Sequence, residues 1–197
     1  MQAEPERHPR GGPEILRAAD DGAGAATYGR PMPISVGGTV PPIQVPTYVR
    51  GRRNARLTGP GDERGRWVVL AFYPRDFTSA CAPELAELAE LAPIFEREQA
   101  TVMAVSTGSW LSHRRWFAHH PALASVRYPV LADTAHELAE AFGTLEADGT
   151  CRSATFLIDP QGVVCHATYG RADDSPMETL RVLQDLRTPG WRALIAA

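Results

Sequence analysis

Phe72-Tyr73-Pro74-Arg75-Asp76-Phe77-Thr78-Ser79-Ala80-Cys81-Ala82-Pro83-Glu84 is the stretch on which the reading of this chain turns. Before it runs Trp67-Val68-Val69-Leu70-Ala71-Phe72, a short apolar run of buried-strand type. After it, Glu84-Leu85-Ala86-Glu87-Leu88-Ala89-Glu90-Leu91 repeats apolar and acidic residues at helical spacing. Cys81 therefore sits where a strand ends, a loop turns and a helix begins. Thr78 and Ser79 are helix-capping residue types, and Pro83 suits a first helical turn, where its missing N–H is no loss. A cysteine placed there meets free backbone N–H groups and the positive end of a helix dipole, which favour the reactive thiolate. Position alone leaves a buried structural cysteine an equal reading, since cysteine is among the most buried residue types.

Outward from this stretch, strand and helix signals alternate, which argues an α/β layer fold. Leu85, Leu88, Ala92 and Phe95 share one face of the helix after Cys81, and Pro93 is expected to kink it or end its regular part. The acidic row Glu84, Glu87 and Glu90 reads as a solvated face, with Glu84 as an exception to consider. Thr101–Ser106 reads as the next strand, and Trp110–His119 as a helix capped by Ser109 or Ser112. Ala154–Val164 reads as strand, turn and strand, with Asp159-Pro160-Gln161-Gly162 supplying the turn chemistry. A last helix is expected from Ser175 or Pro176 to Arg187. Upstream, Ile43–Val49 and Ala55–Thr58 flank Gly51 as a hairpin.

The chain has 197 residues, 44% of them hydrophobic, enough for one sizeable core. A net charge of -3 gives no pull toward nucleic acid. The basic cluster Arg50, Arg52, Arg53 and Arg56 lacks the stacking aromatics of a nucleic-acid module and reads as a solvated turn. No apolar run is long enough to span a membrane. Three cysteines without a Cys-x-x-Cys pair fit a reducing compartment, hence the cytoplasm, rather than a secreted disulfide framework. No metal-binding pattern stands out: His119 and His120 are adjacent, which faces them apart on a helix. Residues 1–35, rich in Pro, Gly, Ala, Arg and Asp, read as a flexible arm, 36–188 as the folded domain and 189–197 as a short tail.

The spacing Pro74-x-x-x-Thr78-x-x-Cys81, within Phe-Tyr-Pro-x-Asp-Phe-Thr-x-x-Cys and followed by Glu84, resembles the peroxidatic-cysteine signature of the peroxiredoxins of the alkyl hydroperoxide reductase C/thiol-specific antioxidant group. Cys81-Ala82-Pro83-Glu84 stands where the family has Cys-Pro-Thr-Glu. Ser106–Trp116 is similar to a second family segment, with His113 and Trp116 at matching positions. Tyr128–Asp133, Ala141-Phe142-Gly143, the hairpin at 154–164 and the last helix also resemble the family, so the likeness covers roughly residues 38–187.

The resemblance implies a thioredoxin fold of peroxiredoxin type, with a central mixed sheet flanked by helices. It implies a thiol-dependent peroxidase that reduces hydrogen peroxide or organic hydroperoxides, with Cys81 passing through a sulfenic acid. Thr78 would supply a hydroxyl and Pro74 would shield the loop, with Glu84 and Trp116 in support. The family arginine lies three residues before the Phe of Phe156-Leu157-Ile158-Asp159, a position held here by Ser153. Arg152 is one residue earlier, and a one-residue slip turns a strand side chain to the other face unless a bulge restores its aim. Arg152 is expected as the site cation, with Arg75 as the fallback. The C-terminal stretch keeps Pro189-Gly190-Trp191 but carries no resolving cysteine. Cys165 reads as a half-buried strand residue, and Cys151, in a loop, is the candidate resolver. No cofactor is implied. The partners would be a peroxide, an external thiol or thioredoxin/glutaredoxin-type reductant, and a second copy in a homodimer or larger ring. The alternative is a catalytically weak member of the fold that senses peroxide or binds a partner.

Overall fold

A computed structural model describes residues 32–170 and 175–188. The expected N-terminal arm up to residue 31 and the tail at 189–197 lie outside the described residues. The elements run β1 (Val45–Tyr48), β2 (Arg56–Thr58), β3 (Trp67–Phe72), α1 (Cys81–Arg97), β4 (Ala100–Ser106), α2 (Trp110–His119), β5 (Val130–Ala132), α3 (Glu137–Ala141), β6 (Ala154–Ile158), β7 (Val164–Tyr169) and α4 (Pro176–Leu186).

The seven strands form one mixed sheet in the order β2-β1-β5-β4-β3-β6-β7. The apolar run Trp67–Phe72 becomes β3, deep in that order, parallel to β4 and antiparallel to β6. A strand paired on both edges and covered on both faces needs apolar side chains throughout, which is why its sequence does not alternate. Its odd positions, Trp67 and Val69, enter a core layer with Leu85, Leu88 and Phe95 of α1, Trp116 and Phe117 of α2, and Leu180 and Leu183 of α4. Its even positions, Val68, Leu70 and Phe72, enter the opposite layer with Leu138, Phe142 and Phe156. Burying side chains such as Phe95 and Phe117 contributes about 1.5–3 kcal/mol each. The chain just before residue 36 belongs to this body, because Ile34 packs on the second layer and its N–H donates to the Ala141 carbonyl at 2.8 Å.

Most sequence expectations for these elements hold. The Ser109 hydroxyl caps α2 by accepting from Ser112 N–H at 3.2 Å, and Ser175 caps α4 through Glu178 N–H at 3.1 Å. Between β6 and β7, Asp159 Oδ1 accepts from the N–H groups of Gln161 and Val163, both at 2.9 Å, while Gly162 takes φ 80°.

Of the two outcomes expected at Pro93, the helix does not end there: α1 runs on to Arg97, with the proline exposed. One expectation fails. Arg50 is not part of a solvated turn. Its guanidinium is half-buried and donates to the carbonyls of Phe117, Leu123 (2.8 Å) and Val126 (3.3 Å), fastening the chain just after β1 to the last turn of α2 and the segment beyond it. The neighbouring Arg52, Arg53 and Arg56 are exposed, as expected.

Candidate active site

Cys81 is the first residue of α1 and is 3% exposed. Strand β3 delivers the chain to the loop 73–80, and α1 carries it away, so the sulfur lies at the C-terminal end of the sheet's inner strands. The residue at the helix's N-cap is Ala80, which has no side chain able to cap. The work falls to Thr78, whose Oγ1 accepts the Cys81 N–H at 3.3 Å and donates to the Arg75 carbonyl at 3.4 Å. One hydroxyl thus closes the loop on itself and ties it to the helix start. Pro74 is half-buried in the same loop. Helix α1 has 17 residues, and its positive end favours negative charge on a sulfur placed there.

Between Thr78 and Asp76 sits Phe77, in the left-handed region at φ 59°. The residue is 59% exposed, and its ring rests on Trp116 at 5.9 Å between centroids. Trp116 also packs on Tyr73 at 6.1 Å, so it buttresses the loop from both ends.

Beneath the loop lies a polar cluster that sequence reasoning did not single out. Asp76 accepts from the Tyr73 hydroxyl at 2.8 Å and from the Ser112 hydroxyl, and His113 Nδ1 lies 2.9 Å from its Oδ2. Burial alone would push the Asp76 carboxyl up. The hydrogen bond and charge of His113, with the Ser112 and Tyr73 hydroxyls, outweigh burial and hold it below the ordinary carboxylate range. Burial and the Asp76 charge push the Tyr73 phenol well above its usual value. His113 was visible in sequence as a matching position, but nothing in the spacing paired it with Asp76, 37 residues earlier.

The remaining sequence candidates are scattered over both sides of the sheet and the surface. Ser153, at the position where the resemblance puts an arginine, lines a crevice of about 50 Å³ with Glu84, Leu85, Thr155 and Thr179, on the Cys81 side of the sheet. Arg152 points the other way. Its Nη2 donates to the Gly143 carbonyl at 2.6 Å, its Nε lies 4.0 Å from Glu146, and its guanidinium stacks over Tyr169 at 4.6 Å. Tyr169 pairs with Ala154 and touches Phe156, both of the opposite core layer. A role at Cys81 would require Arg152 to leave all three partners. Arg75, the fallback cation, is exposed and pairs with Asp148 at 2.9 Å. Cys151 is 1% exposed and lies in the layer of Phe72 and Phe142, across the sheet from Cys81. Burial, with the nearby Asp133 charge, pushes its thiol up to about 12. Cys165 is 4% exposed in the Cys81 layer, its thiol donating to the Val163 carbonyl at 3.4 Å.

The sequence model of the AhpC/TSA family matches residues 36–167, which contain the whole loop, Cys81 and the Asp76 cluster. The chain belongs to the AhpC/TSA family. It is 37% identical over 126 residues to alkyl hydroperoxide reductase C of Mycobacterium tuberculosis, an alignment covering 63% of this chain and 65% of that one. The protein of the same name in Mycolicibacterium smegmatis is 36% identical over 129 residues, 64% of this chain and 66% of the other. The chain thus spans just under two thirds of the length of these curated relatives. Among solved structures, Mycobacterium tuberculosis AhpC superposes with a TM-score of 0.72 at 28% identity, covering 80% of this chain and 96% of that one. Enterococcus faecalis AhpC gives 0.71 at 25% identity, covering 76% and 90%. The thioredoxin-type α/β fold of a peroxiredoxin follows.

Proposed function

We propose that this protein is a thiol-dependent peroxidase that reduces hydrogen peroxide or organic hydroperoxides at Cys81. The observation that carries the reading is Cys81 at the first turn of α1, its N–H on Thr78 Oγ1, inside the Pro74-x-x-x-Thr78-x-x-Cys81 frame of the AhpC/TSA family. The Cys81 thiolate attacks the terminal peroxide oxygen. The sulfur–oxygen bond forms as the oxygen–oxygen bond breaks, and alkoxide or hydroxide leaves and takes a proton. Cys81 becomes a sulfenic acid. An external thiol then displaces water to give a mixed disulfide, and a second thiol releases Cys81.

Thr78 holds the loop against the sulfur and offers a hydroxyl beside it. Pro74 and the Trp116 buttress limit water, and Glu84 borders the crevice one helical turn beyond Cys81. For Arg152 the expected result is set by its contacts: Arg152→Ala should change the rate constant of Cys81 oxidation by less than about threefold, as for the loss of an exposed ion pair. A drop of about a hundredfold, the scale of a lost charge-stabilising donor, would restore it as the site cation. Stopped-flow oxidation of the reduced protein measures this.

We take the physiological reductant to be of the thioredoxin or glutaredoxin class and the compartment to be the cytoplasm, which three cysteines without a Cys-x-x-Cys pair support. A homodimer or larger ring is in keeping with Phe77 and Leu111, large apolar side chains left 59% and 66% exposed by the loop and by α2. The deciding experiment is NADPH-coupled peroxide consumption with thioredoxin and with glutaredoxin as donors. Sustained turnover supports the peroxidase. A single oxidation of Cys81 followed by a stall with every donor would overturn it.

A further inference from the structure

We infer that Asp76 is a positioning residue for Cys81: gripped by Tyr73, Ser112 and His113, it clamps the segment carrying Phe77 and Thr78, and so keeps Cys81 both closed to bulky reagents and aligned for peroxide. The inference rests on the reading of Cys81 as the reactive sulfur.

Two elements supply the partners of this one carboxylate, and two more brace those partners. Tyr73 arrives from the end of β3, and Ser112 and His113 from the first turns of α2. The ring of His113 is 0% exposed, and its Nε2 lies 3.3 Å from the Leu131 carbonyl of β5. From the end of β4, Ser106 Oγ accepts the Gly108 N–H at 3.2 Å. Gly108 itself has no spare room. A Cβ there would stand 3.0 Å from His113 Cε1, 3.1 Å from Asp76 Oδ2 and 3.2 Å from Ser106 Oγ. The cluster is buried, packed and fixed to the sheet on one side. On the other side it continues directly into the active-site loop.

The next residue shows what the clamp is for. Phe77 holds a left-handed backbone that an aromatic L-residue adopts only under constraint. Burial supplies little of that constraint, because Phe77 is 59% exposed. The constraint comes from the flanks. Asp76 is anchored on the N-terminal side, and Thr78 on the C-terminal side is bonded to Cys81 N–H and the Arg75 carbonyl. Thr78 makes the weaker pair of contacts, at 3.3 and 3.4 Å, so Asp76 is the anchor against which the strain is held. Freeing Asp76 lets Phe77 relax to negative φ, which carries Thr78 off the Cys81 amide. Two effects of opposite sign follow at the same sulfur: easier access and poorer alignment.

The test uses Asp76→Asn in the full chain, which keeps the side chain's shape and one acceptor oxygen but turns an amide N–H2 toward a donor. Reduced protein is alkylated with iodoacetamide, and Cys81, Cys151 and Cys165 are followed separately by mass spectrometry. The rate constant of Cys81 oxidation by hydrogen peroxide is measured alongside. Losing one charge-assisted buried hydrogen bond should speed Cys81 alkylation about tenfold and slow its oxidation about tenfold. Cys151 and Cys165, buried in the two core layers, should stay within about twofold if the opening is local. Gly108→Ala presses on the same cluster from the loop after β4 and should move both Cys81 rates in the same directions, by less. All three cysteines opening together in both variants would make the cluster a general fold element and overturn the proposal. So would an unchanged Cys81 alkylation rate. Should wild-type Cys81 fail to react with peroxide, the peroxidase reading falls, while the alkylation pattern still decides the clamp.

Discussion

Cys81→Ser is expected to reduce peroxide turnover to the uncatalysed background. A serine hydroxyl at the same place is a far weaker nucleophile than a thiolate, and no second sulfur stands ready to replace it. Cys151 is 1% exposed and its thiol is pushed up to about 12, so at neutral pH almost none of it is thiolate. Cys165 is 4% exposed, with its proton engaged by the Val163 carbonyl. With one equivalent of peroxide and dimedone as trap, the adduct should map to Cys81. Labelling chiefly at Cys151 or Cys165 would refute this. Thr78→Val removes the hydroxyl that ties the loop to the Cys81 N–H and should slow Cys81 oxidation by on the order of tenfold, the weight of one hydrogen bond, without unfolding the domain. The three cysteines thus differ in chemistry through placement alone: a helix start for Cys81, an apolar interior layer for Cys151, a strand interior for Cys165.

That difference was half legible in the sequence. Cys81 stood out because the apolar run of β3 gives way within a dozen residues to a helical repeat, with Pro74 and Thr78 at fixed offsets between them. Local chemistry also carried the caps at Ser109 and Ser175 and the turn at Asp159-Pro160-Gln161-Gly162. What could not be read are contacts whose partners lie far along the chain. Arg50 looked like one of four surface arginines, yet its carbonyl partners are 67 to 76 residues away. Asp76 looked like part of a motif, and its grip on α2 has no local signature. The facing of Arg152 was decidable only in part. Alternation assigns opposite faces to Arg152 and Ser153, but both precede the first strand residue, Ala154, so the sequence left room for a bulge that would re-aim the arginine. The structure has no such bulge there: its one register shift in the β6–β7 pairing lies at Leu157/Ile158. Ser153 therefore faces the Glu84 crevice and Arg152 the opposite layer.

Stoichiometric peroxide without added thiol is expected to leave Cys81 as a sulfenic acid, with excess driving it to sulfinic acid, and to form no disulfide to Cys151 or Cys165. A disulfide needs its two Cα atoms within about 7 Å. Cys151 lies across the sheet, in the layer of Phe72, Phe142 and Phe156, so reaching Cys81 would mean passing through the hydrogen-bonded plane of β3 and β6. Its thiol is also a poor attacker, since with a value of about 12 fewer than one molecule in ~10⁴ is thiolate at neutral pH. Cys165 shares the Cys81 layer but sits two strands from β3, a lateral step of roughly 10 Å. It is also far along the strand axis. Val164 pairs with Ile158, which pairs with Val68, whereas the Cys81 loop leaves β3 after Phe72, roughly 13 Å further on. Bringing the two sulfurs together would mean unpairing β7 and opening the α1–α4 core. An external thiol that reaches the loop from solvent avoids both costs, so dithiothreitol or a redoxin should regenerate Cys81 where the chain alone does not. Non-reducing peptide mapping decides it. A Cys81–Cys151 or Cys81–Cys165 cross-link, within one chain or between two, would show that oxidation opens the domain far enough to recruit a resolving cysteine of its own.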